Sequence, residues 1–458
     1  MNYLRSMAST LTSMAVLHSL CTACPLEMSV IRVIDIEPPE VTSTAPPREY
    51  PPDYPDTAKS VDPRRPGVAG GLPTNPPPVR LLGAKDESWP ILIAHEEYLI
   101  QVWAIQQPHI MSMAFLPDGS LMIAERRGKV RLLRDGVPDA EALYEVPNVH
   151  FHGDCRLMSL CLHPEFATNK FVYIYYGDSK AKDCRIIRLR MDGKALIDPK
   201  IILDAIPLHE YHSGGIIRFG PDNKLYASTG DCWNNVTAQD PMHLGGKFLR
   251  IKDDGSIPTD NPFLQRAGYR PELYALGSRN AQGMDWQPVS GALFATEHGP
   301  SGEKNIRPPS GASDEFNLVT PGCNLGWPVI HADYEQEGMV MPLINFTNTI
   351  APGSGMFYTV NATPALTGSY FVGCLRGHAL MRIELDGTTP TDWYSVTEEL
   401  GRIRSLAQGP LDFSLEDRFA KDNLVLYFAS SNTDRYGGKG TLEDRIFRLL
   451  PAKRHPNR

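Results

Sequence analysis

The feature that most constrains this chain is one hairpin used over and over: a short apolar strand, a turn of proline, aspartate or glycine, then a second strand. Phe115-Leu-Pro-Asp-Gly119 is such a turn, and Ser120–Glu125 and Lys129–Leu133 beyond it alternate like paired strands. Ile216–Phe219, the turn Pro221-Asp222-Asn223 and Leu225–Thr229 repeat the design, as do Met284–Trp286, the turn Pro288–Gly291 and Ala292–Thr296. Tyr370–Cys374, Leu380–Leu385 with Asp386-Gly387, Leu406–Gly409 and Val425–Ser430 continue it. Phe171–Tyr176 reads as a buried strand from its β-branched and aromatic content. No long segment shows a helical period, and 38 glycines with 40 prolines imply many turns. The predicted fold class is all-β. Hairpins that must each hide their edges fit a ring of four-stranded sheets better than a sandwich. The turns recur at roughly 35 to 85 residues, too irregularly for a strict repeat family. A six-bladed β-propeller over residues 87–452 would give each blade about 60 residues, a workable size with long loops.

Residues 1–86 read differently. Pro38-Pro39, Pro46-Pro47, Pro51-Pro52 and Pro76-Pro77-Pro78 fix φ and remove donors, so a disordered, proline-rich N-terminal arm is expected here. Arg5, the short apolar run Met14–Leu20 and Cys21-Thr-Ala-Cys24 look like a weak signal segment or lipoprotein-type cleavage site, interrupted by His18 and Ser19. A secreted or periplasmic location is the expectation, with retention inside the cell left open. No run of 18 apolar residues exists, so no membrane span is expected. A net charge of −8 argues against a nucleic-acid partner. Of the eight cysteines, no pair in the body has metal-site spacing, and Cys21 and Cys24 lie outside any redox-type βαβ context. Pairing in an oxidising compartment and free buried thiols both remain open.

Four segments carry candidate chemistry. In Tyr211-His-Ser-Gly-Gly-Ile-Ile, His212 sits just before two glycines and a strand, where an imidazole can take a proton near neutral pH. Taken alone, it reads first as a structural histidine bonding a loop carbonyl. Leu276-Gly-Ser-Arg-Asn-Ala-Gln-Gly283 gathers the donors of Arg279, Asn280 and Gln282 between glycines, suiting an anionic or carbonyl-rich ligand or an ordinary solvated loop. Ala295-Thr-Glu-His-Gly-Pro300 offers adjacent carbonyls at Gly299 and Pro300. Asp314-Glu-Phe-Asn317 and Gly322-Cys-Asn-Leu-Gly-Trp-Pro328 add carboxylates and further carbonyls, an oxygen set a hard cation would accept and a plain turn would also explain. Phe371-Val-Gly-Cys-Leu-Arg376-Gly377 and Gly401-Arg-Ile-Arg404 put three guanidinium groups at strand ends, with Arg402 and Arg404 expected on one side of a strand by their spacing. No G-x-S-x-G elbow, H-E-x-x-H or P-loop is present, and Gly214-Gly215 opens a strand rather than a helix, which argues against elbow-type serine-hydrolase, zinc-protease and nicotinamide chemistry.

In order along the chain, these segments resemble the soluble PQQ-dependent glucose/sorbosone (aldose sugar) dehydrogenase family, from about Pro108 to Leu450. Further matching pieces are Leu162-His-Pro-Glu-Phe166, Leu244-Gly-Gly-Lys-Phe-Leu-Arg-Ile251, Asp254-Gly-Ser-Ile-Pro258 and Asp260-Asn-Pro262. The resemblance implies a propeller that oxidises an aldose or related alcohol with pyrroloquinoline quinone (PQQ) and calcium, passing electrons to an external acceptor. It implies that His212 is the general base and that Arg279 holds the quinone oxygen. Asn280 and Gln282 match cofactor or calcium-shell positions, and Asp154 falls where a Gln or Glu often contacts the cofactor. Arg376, Arg402 and Arg404 match groups that bind the PQQ carboxylates. The carbonyls of Gly299 and Pro300 match active-site calcium ligands, and Glu315 with the carbonyl of Leu325 looks like a second, structural calcium site. The oligomeric state is not implied.

The chain departs from the family in places. Cys155-Arg-Leu-Met-Ser159 stands where Gly-Leu-Leu-Gly is usual, so Arg156 brings charge and bulk toward the expected cavity. Tyr211 replaces an acidic neighbour of the histidine, and an insertion runs roughly from Lys304 to Ala312. A non-catalytic propeller related to hedgehog-interacting proteins is the alternative, since a fold does not fix a function.

Overall fold

A computed structural model of the chain describes residues 59–60 and 86–452, apart from 108, 151, 302–311, 348, 361–362, 398–399 and 434–442. The chain divides into units 1–54 and 55–458. The first, with the signal-like segment, lies outside the described residues, as do most of the proline-rich arm and residues 304–311 of the insertion. Within the arm, Lys59–Ser60 pairs antiparallel with Tyr334–Glu335.

Six antiparallel sheets follow one another and form a six-bladed β-propeller. Blade 1 is built from Ile110–Phe115, Leu121–Glu125 and Lys129–Arg134, with two short outer strands. Blade 2 runs Leu157–Leu162, Phe171–Asp178, Asp183–Asp192 and Ala195–Pro207. Blade 3 runs Gly214–Phe219, Leu225–Thr229, Lys247–Ile251 and Leu273–Leu276. Blade 4 runs Ala281–Trp286, Leu293–Glu297, Asp314–Val319 and Ile344–Phe346. Blade 5 is Pro352–Phe357, Tyr370–Cys374, Leu380–Asp386 and Thr389–Thr397. Blade 6 joins the two ends of the body: Ile403–Pro410, Leu424–Ser430 and Ile446–Pro451 pair onward to Glu96–Ala104 and Ser88–Ile93. The hairpins predicted from sequence occupy the expected places, and the longest α-helix among the described residues is the single turn Phe166–Asn169.

The core is divided among the clefts between blades. One apolar cluster joins each neighbouring pair, from Val130 and Val172 between blades 1 and 2 round to Leu121 and Tyr427 between blades 6 and 1. In the cleft between blades 4 and 5, the Phe294 and Phe316 rings stack at 5.2 Å and meet Phe357 and Tyr370 edge-on or tilted. Burying aromatic surface on both sides of every sheet holds the ring closed and leaves the inner strands free to shape the axis.

Candidate active site

Each inner strand carries, at its second residue, more chain than its neighbour can match. The pairing skips Met111, Met158, Gly215 with Ile216, Gln282, Gly353 and Arg404. These are β-bulges, which break the alternation of a strand and re-aim a side chain. Met111, Met158, Gly215, Gln282, Gly353 and Arg404 all line one central cavity of about 280 Å3. Arg126, Asp154 and Ser354 line it too. Arg404 Nη1 donates to Gln282 Oε1 at 3.0 Å, and Arg126 Nη2 to the Gly153 carbonyl at 2.9 Å. The Ser354 hydroxyl is buried there without a hydrogen-bond partner among the described residues. Two guanidinium groups, an amide and an unused hydroxyl beside three methionines form a donor set for a flat, anionic molecule.

His212 stands just ahead of the blade 3 inner strand, at φ +57°, a conformation few non-glycine residues adopt. Gly230 makes the approach possible: a Cβ there would lie 1.8 Å from the His212 carbonyl oxygen. Nδ1 of His212 lies 2.8 Å from Asp231 Oδ1. The other Asp231 oxygen accepts from Trp327 Nε1 at 2.8 Å, and the Trp327 ring lies 5.4 Å from the Arg279 guanidinium carbon. Arg279, 1% exposed, donates from Nη1 to the His298 carbonyl at 2.6 Å, and its own carbonyl accepts from the Asp231 N–H at 2.8 Å. Burial holds the His212 pKa below its ordinary value and the positive charge of Arg279 pushes the same way, while the bond to Asp231 opposes both. The result favours a neutral imidazole whose Nδ1–H is taken by Asp231, leaving Nε2 to accept a proton.

The predicted residues divide into those that meet at the axis and those that do not. Asp154, Gln282 and Arg404 line the cavity. His212 and Arg279 are not among its lining residues; Gly214 and Gly215, just after His212, are. Asn280 accepts from the Gly214 N–H at 2.9 Å, so it secures the start of the blade 3 inner strand. Arg402 and Arg404 do not share a face: Arg404 is the bulge residue turned to the axis, whereas Arg402 precedes the strand and donates to the Leu375 carbonyl at 3.1 Å. Arg376 is exposed beyond the end of Tyr370–Cys374. Arg156 does not line the cavity; its Nε donates to the Gly153 carbonyl at 3.2 Å. Asp231 and Trp327 received no role from sequence, although Trp327 lies in a quoted motif. Their part depends on a contact between residues 96 positions apart.

The oxygen-rich loops lie at blade 4. Glu297 and Glu315 face each other across neighbouring strands, both buried. Burial and then the charge of Glu315 push the Glu297 pKa up to about 8, and burial raises Glu315 as well. Glu297 accepts from the Arg279 N–H at 2.5 Å and the Ser278 hydroxyl at 2.6 Å; Glu315 accepts from the Ala332 N–H at 2.8 Å and Asn317 Nδ2 at 3.2 Å. The Pro300 carbonyl accepts from the Ser313 N–H at 3.0 Å, and the Gly299 N–H donates to Asp314 Oδ1 at 3.1 Å. Among the described residues, no three histidine, cysteine, aspartate or glutamate side chains converge as a metal cluster.

A ring of six sheets with an axial cavity of mixed polarity, and a carboxylate-held histidine two residues ahead of its lining Gly214, defines an enzyme-like propeller. The glucose/sorbosone dehydrogenase family profile matches residues 105–436, and the chain belongs to that family. It is 29% identical to the aldose sugar dehydrogenase YliI of Escherichia coli over 333 residues, covering 68% of this chain and 87% of that protein. Among solved structures, the PQQ-bound aldose sugar dehydrogenase from Streptomyces coelicolor superposes with a TM-score of 0.65 at 29% identity, covering 80% of this chain and 99% of that one. The human hedgehog-interacting protein is 26% identical over 299 residues, covering 57% of this chain and 40% of that protein.

Proposed function

We propose that this chain is a quinoprotein oxidoreductase that oxidises an aldose or a related alcohol, with PQQ as cofactor and an external electron acceptor. The observation that carries the reading is the nearness in the chain of a buried, Asp231-held His212 to Gly214 and Gly215, which line an axial cavity bearing guanidinium, amide and hydroxyl donors. When bound, PQQ supplies a quinone that accepts a hydride from the carbinol carbon. His212 Nε2 takes the hydroxyl proton of the substrate as the C–H bond breaks, and Asp231 steadies the imidazolium so formed. Arg279, buried over Trp327 and outside the cavity lining, is the fixed positive charge proposed to act on the negative charge that develops. Arg404, Gln282 and Ser354 would hold the cofactor, with Arg126 as a second cation and Asp154 on the facing wall. Arg402 and Asn280 act from behind, fixing the loops that shape the cavity.

Calcium is proposed at the carbonyls of Gly299 and Pro300 and, as a structural ion, at Glu315 with the Leu325 carbonyl. Support comes from the two buried carboxylates facing each other in blade 4, which a hard cation would relieve of mutual repulsion. A secreted or periplasmic location completes the proposal, where PQQ and free sugars meet. The test is dye-coupled oxidation of a panel of aldoses after PQQ and calcium are added to the purified chain. Sugar-dependent dye reduction is expected. No reduction, with no PQQ binding by calorimetry, would overturn the reading and favour a non-catalytic, partner-binding propeller.

A further inference from the structure

We propose that Cys155 and Cys184 are joined by a disulfide that clamps the wall of the cavity carrying Asp154 onto blade 2. Cys155 directly follows Asp154, and Cys184 lies in the third strand of the blade. Both side chains are fully buried, and their sulfur atoms lie 2.8 Å apart, closer than two unbonded sulfurs ordinarily approach. The sheet is built to admit this contact. Gly177 pairs directly with Cys184, and a Cβ at Gly177 would lie 2.4 Å from the Cys155 sulfur, so a side chain there would occupy the slot. The Gly177 N–H donates to the Arg156 carbonyl at 2.9 Å and its carbonyl accepts from the His150 N–H at 2.8 Å, strapping the segment on both sides of Cys155. A third buried thiol, Cys232, is near enough to both to feel their charge, but its sulfur is engaged in donating to the Pro207 carbonyl at 3.2 Å. The pairing is therefore Cys155 with Cys184.

Formation is an exchange with a small disulfide such as oxidised glutathione. One cysteine thiolate attacks it to give a mixed disulfide, and the other displaces the remaining glutathione. The two cysteines lose two electrons and two protons, one new S–S bond replaces the one broken, and two glutathione thiols leave. Both side chains are fully buried in the cleft between blades 2 and 3, out of reach of a glutathione molecule once that cleft has closed, and burial pushes the Cys184 thiol well above its ordinary range. The bond therefore belongs to folding in an oxidising environment. It also reaches toward the base: the Asp154 N–H donates at 2.6 Å to the carbonyl of Glu210, two residues ahead of His212.

The experiment refolds the full chain from denaturant in a glutathione redox buffer, alkylates remaining thiols under denaturing conditions and maps the peptides by mass spectrometry. The expected result is a dominant peptide joining Cys155 to Cys184 that disappears on reduction. The oxidised protein should melt about 5 °C above the reduced one, with slower amide exchange at residues 152–156. Cys155→Ser and Cys184→Ser should each abolish that difference. Full alkylation of both cysteines in the refolded protein, or a peptide joining Cys184 to Cys232, would overturn the proposal. These readouts need neither PQQ nor activity.

Discussion

His212 Nδ1 and Asp231 Oδ1 lie 2.8 Å apart, and this bond decides which imidazole nitrogen can act as a base. Asp231 is committed on its other side to the indole N–H of Trp327, so it cannot swing away without leaving a buried donor unpaired. Asp231→Asn keeps the shape but presents an amide to both groups. Turnover should fall by about 100-fold or more while PQQ affinity changes less than about threefold. Steady-state dye reduction and calorimetry on the same preparation check this. An unchanged kcat would show that the imidazole needs no carboxylate.

The pH profile follows from the same residues. Burial lowers the His212 pKa below 6.5, and the base works only when neutral. The kcat/KM profile should therefore hold its plateau as pH falls through 6.5 and drop only below it. Removing the carboxylate in Asp231→Asn takes away the interaction that raises the pKa, so the acid limb should move lower still. An acid limb centred above 6.5 in the wild type would contradict the account.

The arginines separate into one that lines the axis and one that does not. Arg404→Met should weaken PQQ binding by about 10- to 100-fold, the cost of losing a charged hydrogen-bond donor in a buried site. Arg376, exposed beyond its strand, should tolerate the same change with less than about a twofold effect. Calorimetric titration of each variant with PQQ decides it, and equal losses would place Arg376 in the site after all.

That division shows what local sequence can carry. The turns were legible because Pro221-Asp222-Asn223 and similar punctuation act within a few residues, and the strands because β-branched and aromatic runs such as Phe171–Tyr176 need no distant partner to be recognised. The bulges were not. Arg402 and Arg404 have the spacing of two residues on one strand face, yet the extra residue at 404 exists only relative to the pairing of Ile403 with Ser430 and Ser405 with Ala429. Ring closure was equally hidden, since Glu96–Ala104 meets Ile446–Pro451 from the opposite end of the body. His212 stood out through its glycines, but its partner Asp231 and the Trp327 clamp required the fold.

Stability should carry the mark of blade 4. Glu297 has its pKa raised to about 8 in the folded chain, against 4.5 as its ordinary value. The folded state therefore prefers the protonated form. That contribution is fully present below 4.5 and is lost as pH rises through about 8. In chelator-treated protein, the melting temperature should fall across that window, and Glu297→Gln, which stays neutral, should flatten the slope. Calcium should raise the melting temperature most at the alkaline end, where the carboxylates are ionised. Identical slopes for wild type and Glu297→Gln would remove Glu297 as the cause.

The most direct test compares wild type with His212→Gln, both loaded with PQQ and calcium. A general base at His212 predicts that the variant binds PQQ as the wild type does and loses dye-linked sugar oxidation by about 1000-fold or more. Sugar oxidation by His212→Gln at close to the wild-type rate would contradict it.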